Sequence, residues 1–106
     1  MGQFTIAAYR PKPGKTGELM DLVREHHGVL RRAGLVTERR PYVMRAADGT
    51  LVEVFEWTET GASDRAHGIP AVQALWARFN EACEYVGLAG LAEAQNLFAS
   101  FEAVDL

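Results

Sequence analysis

The sequence predicts an α+β domain built on an antiparallel sheet, and three patterns in it carry that expectation. Apolar residues alternate through Gln3–Arg10 and again from Leu51 to Trp57, the period-two signature of strands. They recur with a 3.6-residue period in Leu19, Leu22, Val23, Leu30 and Ala33, and again in Val72, Leu75, Trp76, Phe79, Cys83 and Val86, so each set forms one stripe of a helix. Between strand-like Tyr42-Val43-Met44 and Leu51–Trp57 stands Asp48-Gly49, a strong hairpin signal that pairs those two segments antiparallel.

In chain order, both faces of Gln3–Arg10 are apolar or weakly polar, so a strand buried on both sides is expected. Pro11-Lys12-Pro13-Gly14-Lys15 breaks it. The first helix starts near Glu18 and ends at Gly34, with Arg31 and Arg32 at the negative end of its dipole. Leu35–Ala46 returns to strand, and the hairpin follows. Small polar residues from Thr58 to Ser63 start a short helix near Thr60 that runs toward Gly68. Gly68-Ile69-Pro70 interrupts it, Pro70 opens the next helix, and that helix runs to Gly87. Leu88–Ala94 is a connector, and the alternation of Asn96–Val104 predicts a fourth strand. The order β, α, β, β, α, β is the split βαβ arrangement of ferredoxin-like folds: a four-stranded antiparallel sheet with two helices on one face. Since helices cover one face only and the first and fourth strands are apolar on both, the second face calls for a partner. A homodimer through that sheet face is therefore expected. The alternative is that Thr5, Ala7, Ser100 and Glu102 make the face polar enough for water.

With 106 residues, 48% of them hydrophobic and 24% charged, the chain (1–106) is expected to be a single globular domain. Eleven basic against 14 acidic residues give a net charge of -3, no basis for gripping a phosphate backbone, so no nucleic-acid partner is expected. No apolar run approaches the roughly 20 residues that cross a bilayer, and Met1-Gly2-Gln3 opens onto a strand rather than a signal sequence. No membrane association and a cytoplasmic location are expected. The one cysteine, Cys83, cannot form an internal disulfide, and no His, Cys or carboxylate set has zinc-like spacing. Phosphate-binding loops, dinucleotide fingerprints and nucleophile elbows are missing as well.

The strand ending in Arg10-Pro11-Lys12-Pro13-Gly14-Lys15, the hairpin strand Val54-Phe55-Glu56-Trp57-Thr58, and Ala66-His67 followed by Pro70-Ala71-Val72 resemble the dimeric α/β-barrel proteins. More narrowly, the whole chain is similar to antibiotic biosynthesis monooxygenase (ABM)-type domains. The resemblance implies a cofactor-independent monooxygenase-like protein acting on a small aromatic, quinol or polyketide-type molecule in an apolar pocket. The alternative is a non-catalytic small-molecule-binding or stress-associated dimeric module. By the same resemblance Trp57 lines the pocket, as a Trp at the end of the third strand does in the cofactorless oxygenases. Their strand asparagine falls at Glu53 here, a departure. The haem-degrading relatives use an asparagine in the first strand and a histidine on the second helix, where this chain has Ala7, Ala8 and Tyr9, and Trp76, Ala77 and Arg78. No haem or other cofactor is therefore expected.

Glu53 is the sharpest oddity, because it shares a strand face with Leu51, Phe55 and Trp57. A carboxylate among apolar groups is costly unless paired, and such a group serves as a general base toward a phenolic or enolic proton. Otherwise it pairs with Arg45 or Arg39 across the hairpin. His26 falls on the apolar stripe of the first helix, either as a buried neutral imidazole or as an acid or base within reach of Glu53. His67 precedes the helix break, where it borders a cavity or caps a free carbonyl. Glu53, His26 and His67 are the candidate catalytic residues. Trp57, Tyr9, Tyr42, Trp76 and Phe79 are the candidate substrate-binding residues, Trp76 and Phe79 doubling as core. Arg45 is a further polar group on the strands.

Overall fold

A computed structural model describes residues 2–106; Met1, where both the domain and the reading of the chain's start begin, lies outside the described residues. The chain runs β1 (Gln3–Pro11), α1 (Thr16–Arg32), β2 (Tyr42–Arg45), β3 (Leu51–Trp57), α2 (Ala62–Ala66), α3 (Pro70–Ala82), β4 (Cys83–Val86) and β5 (Glu102–Ala103), with single 3-10 turns at Leu88–Gly90 and Ala92–Gln95. All pairings are antiparallel, in the order β4-β1-β3-β2-β5. The α+β, ferredoxin-like architecture stands, with five strands and three helices among the described residues in place of four and two.

Local chemistry explains the elements that match. α1 ends in paired backbone bonds, Gly34 N–H to Arg31 C=O and Leu35 N–H to Leu30 C=O, both 3.0 Å. This closure needs a left-handed residue after the cap, and Gly34 supplies it at φ 75°. Leu30 and Leu35, the two ends of that bond, are buried in one cluster. In the hairpin, Gly49 N–H bonds Ala46 C=O and Asp48 Oδ1 accepts from Thr50 N–H, so the turn type follows from Asp-Gly. The Thr50 bonds hold the Asp48 carboxyl below its usual range, helped by Arg10.

Three expectations are corrected. The helix expected to reach Gly87 stops at Ala82, and Cys83 is extended (φ -150°, ψ 170°). Cys83 through Val86 pair with Pro11 through Ala8, closing a side of β1 that would otherwise expose its backbone donors and acceptors. The helical spacing of Cys83 and Val86 is overridden there: in the strand the two face opposite sides, Cys83 in the core under the helices and Val86 in the cluster on the far face. The strand expected over Asn96–Val104 shrinks to two residues beside β2. Finally, Leu35–Ala46 is not one strand: Val36 makes an isolated bridge to Trp57, and Pro41, which has no donor, separates it from β2.

The helices pack on one side of the sheet. Tyr9, Leu19, Leu22, Val23, Val43, Leu51, Leu75 and Phe79 form one core cluster, and Leu30, Val36, Phe55, Trp57, Ala66 and Val72 form the next. On the other side, Leu91 and Phe101 of the C-terminal segment lie against Ala8, Val52 and Met44.

Candidate functional site

β3 is the middle strand of the five, and Glu53 is near its centre, flanked by Ala7 on β1 and Val43 on β2. Its side chain points toward the helices and is fully buried. Neither Arg45 nor Arg39 reaches it: Arg45 pairs with Glu102 at 2.7 Å and Arg39 with Glu56 at 2.8 Å. The structure instead joins Glu53 to two groups that the small Ala7 leaves room for. Tyr9 donates its hydroxyl to Glu53 Oε1 at 2.8 Å, and His26 Nδ1 lies 2.8 Å from the same oxygen. Among the described residues Glu53 Oε2 has no hydrogen-bond partner, so the polar connections of this carboxyl there run to Tyr9 and His26.

The proton positions follow from the donors. Burial, followed by the charge and hydrogen bond of Glu53, pushes the Tyr9 phenol well above its ordinary range, so Tyr9 keeps its proton and donates it. An indole N–H is a donor only, and Trp76 Nε1 approaches His26 Nε2 at 3.4 Å. His26 Nε2 is therefore the acceptor nitrogen, and Nδ1 carries the hydrogen shared with Glu53. The imidazole is wedged edge-on between Phe55 and Phe79, each 5.3 Å away centroid to centroid, which fixes its plane.

His26 and Tyr9 form part of the wall of an open cleft of about 450 Å³ between the sheet and α3. Phe55, Trp76 and Phe79 give it apolar walls. His67, Asn80 and Tyr85 bring polar atoms to it, and the His67 ring meets Trp76 edge-on at 5.0 Å. Among the described residues, no Lys, Arg, Asp or Glu lines the cleft.

The candidate residues thus divide. Tyr9, His26, His67, Trp76 and Phe79 come together at the cleft. Glu53 lies behind its wall and reaches it through His26 and Tyr9. Trp57 does not line it: its indole bonds Thr5 Oγ1 at 2.8 Å within the core, beside Phe55. Tyr42 faces the opposite side of the sheet, because Val43 is the residue that pairs with Glu53 and its neighbour must point away. Asn80 and Tyr85 went unanticipated. The alternation of Cys83 and Tyr85 against Glu84 and Val86 was the signal for Tyr85; Asn80, beside Phe79 on α3, had none.

Among the described residues, no cluster of three His, Cys, Asp or Glu side chains could hold a metal ion, and no helix is long and apolar enough to cross a membrane.

This is a small α+β domain with an aromatic cleft and a buried carboxyl–imidazole pair beneath it. No family model matches the chain, and no curated protein matches it. Among solved structures, it is similar to a conserved protein from Methanosarcina mazei Go1, with TM-score 0.59 and 18% identity over 81% of this chain and 87% of that one. It is also similar to an uncharacterized NIPSNAP domain protein from Burkholderia xenovorans, with TM-score 0.53 and 22% identity over 87% of this chain and 96% of that one. What is shared at these identities is the ferredoxin-like α+β fold.

Proposed function

We propose that the chain is a small-molecule-binding protein whose cleft presents His26 Nε2 as a proton acceptor to an uncharged aromatic or enolic ligand. The observation that carries this reading is the buried Tyr9–Glu53–His26 chain ending at a cleft with aromatic walls. A carboxyl set behind an imidazole orients the ring and stabilises it once protonated. In this reading Glu53 acts through His26 rather than as the base itself, because it is fully buried and does not line the cleft. The lack of charged lining favours a neutral ligand over a carboxylate or phosphate ester.

In the finer form of the proposal, suggested by the resemblance to ABM-type domains, the protein is a cofactor-independent monooxygenase. His26 takes a proton from a methylene activated by neighbouring phenol rings, and the resulting carbanion gives its electrons to dioxygen. A C–O bond forms and the O–O bond breaks. One oxygen stays as a carbonyl, and the other leaves as water with the two methylene hydrogens. The substrate supplies every electron, so a base and a water-poor pocket are what the protein contributes.

The test is oxygen uptake with a panel of anthrone-type and quinol substrates, beside a binding measurement by fluorescence of Trp76. Wild type should bind and consume oxygen. His26→Gln should bind with similar affinity and turn over 10²–10⁴-fold more slowly, the range a positioned base contributes. Binding without oxygen uptake leaves the binding module and removes the oxygenase. No binding by any neutral aromatic overturns both.

A further inference from the structure

Two polar atoms face each other on the cleft wall with no other partner among the described residues: the Trp76 Nε1–H, which can only donate, and His26 Nε2, which here accepts. They stand 3.4 Å apart, longer than the roughly 2.9–3.0 Å at which such a bond is best made. His26 is held from behind by Glu53 and clasped between Phe55 and Phe79, so it keeps its place. Trp76 can yield, because it is only half-buried and packs against the ring of the exposed His67. The Tyr9 hydroxyl is already given to Glu53, and His67, Asn80 and Tyr85 are open to water. The loosest hydrogen bond at the cleft is thus the one that a ligand must open to reach His26.

We propose that the cleft selects ligands bearing a phenol or enol hydroxyl, whose oxygen enters between Trp76 and His26, giving its hydrogen to His26 Nε2 and accepting the Trp76 N–H. This rests on His26 Nε2 as the acceptor, and extends that reading by naming the group recognised and a second residue that recognises it. A hydroxyl donates and accepts at one atom, so it satisfies both nitrogens. An ether or ketone oxygen satisfies the indole but sets lone pair against lone pair at His26. A pyrrole-type N–H does the reverse and leaves the indole without an acceptor, and either fault costs affinity. The geometry asks little: two nitrogens bridged by one oxygen at ordinary hydrogen-bond lengths stand about 4.6 Å apart, so the indole retreats by about 1 Å from its present 3.4 Å. Once His26 has taken the proton, the same N–H faces the oxygen that carries the negative charge, where a hydrogen bond is stronger. The anion made from an enol O–H is also the one made from the methylene of its keto tautomer, so the oxygenase form of the reading is served by either.

1-Naphthol and 1-methoxynaphthalene differ at that one oxygen. Isothermal titration calorimetry should show wild type binding the naphthol roughly 10-fold or more tightly than the ether. Trp76→Phe keeps an aromatic wall and removes the donor, and should cut that preference by roughly 3–10-fold. The chain has two tryptophans, and Trp57 gives its N–H to Thr5 away from the cleft, so it serves as an internal control. In nitrogen-15 NMR of wild type, bound naphthol should slow water exchange of the Trp76 indole N–H by roughly 10-fold and leave that of Trp57 unchanged. This measurement holds whether or not Trp76→Phe folds. Equal affinity for the two compounds overturns the inference and leaves an aromatic cleft; no binding of either overturns the reading of the cleft with it. A naphthol preference that survives Trp76→Phe undiminished, or an unchanged exchange rate at Trp76, overturns the inference as well.

Discussion

Glu53→Ala should lower folding stability by about 3–5 kcal/mol in urea unfolding, whereas Glu53→Gln should stay within about 1–2 kcal/mol of wild type. Alanine leaves the Tyr9 hydroxyl and the His26 Nδ1 hydrogen buried without an acceptor, each costing roughly 1–3 kcal/mol, and opens a void at the centre of the sheet. Relief from burying a carboxyl works in the opposite direction. It does not win, because two stranded donors and a cavity replace one satisfied oxygen. Glutamine keeps Oε1 as acceptor for both donors and places its amide where Oε2 stands unpartnered. Equal losses for the two variants would mean that side-chain volume, not the hydrogen-bonded chain, is what this position supplies.

A second large effect lies at alkaline pH. Tyr9 is pushed well above its ordinary value by burial and by Glu53; burial raises the Cys83 thiol from 9.0 to about 11 and the Tyr85 phenol from 10.0 to about 12. Each acid is neutral in the folded chain at a pH where the unfolded chain ionises. The contribution of Tyr9 and Cys83 is therefore complete below about pH 9 and is lost as the pH climbs above it; Tyr85, 53% exposed, adds little because solvent screens it. Cys83, which is buried and donates its S–H to Phe79 C=O at 3.2 Å, accounts for about 2–3 kcal/mol of that loss. Thermal unfolding should show a plateau near neutrality and a steep fall above pH 9, with a shallower fall in Cys83→Ala and in Tyr9→Phe. A curve that stays flat to pH 11 would contradict the burial of Tyr9 and Cys83.

Much of the site was legible because it breaks a pattern. A glutamate in the apolar set Leu51, Phe55, Trp57 and a histidine on the stripe with Leu19 and Leu30 are local anomalies, and both resolve into one contact. What stayed hidden depends on register. Alternation alone states that Tyr42 and Val43 face opposite ways; only the pairing of Val43 with Glu53 decides which one faces the helices. Trp57 shares the face of Glu53 but is four residues further along, past the cleft, where Thr5 takes its indole N–H. Tyr85 was lost with the helix that ended early, because the need of β1 for a neighbour overrides the helical spacing of Cys83 and Val86.

The most direct measurement is nitrogen-15 NMR of the His26 ring at neutral pH. The hydrogen is expected on Nδ1, with Nε2 unprotonated and accepting from Trp76 Nε1 in the free protein, and its resonance shifted by a bound phenol or enol. A hydrogen on Nε2 in the free protein would mean that Glu53 does not hold this imidazole as a base, and the proposed chemistry would fail with it.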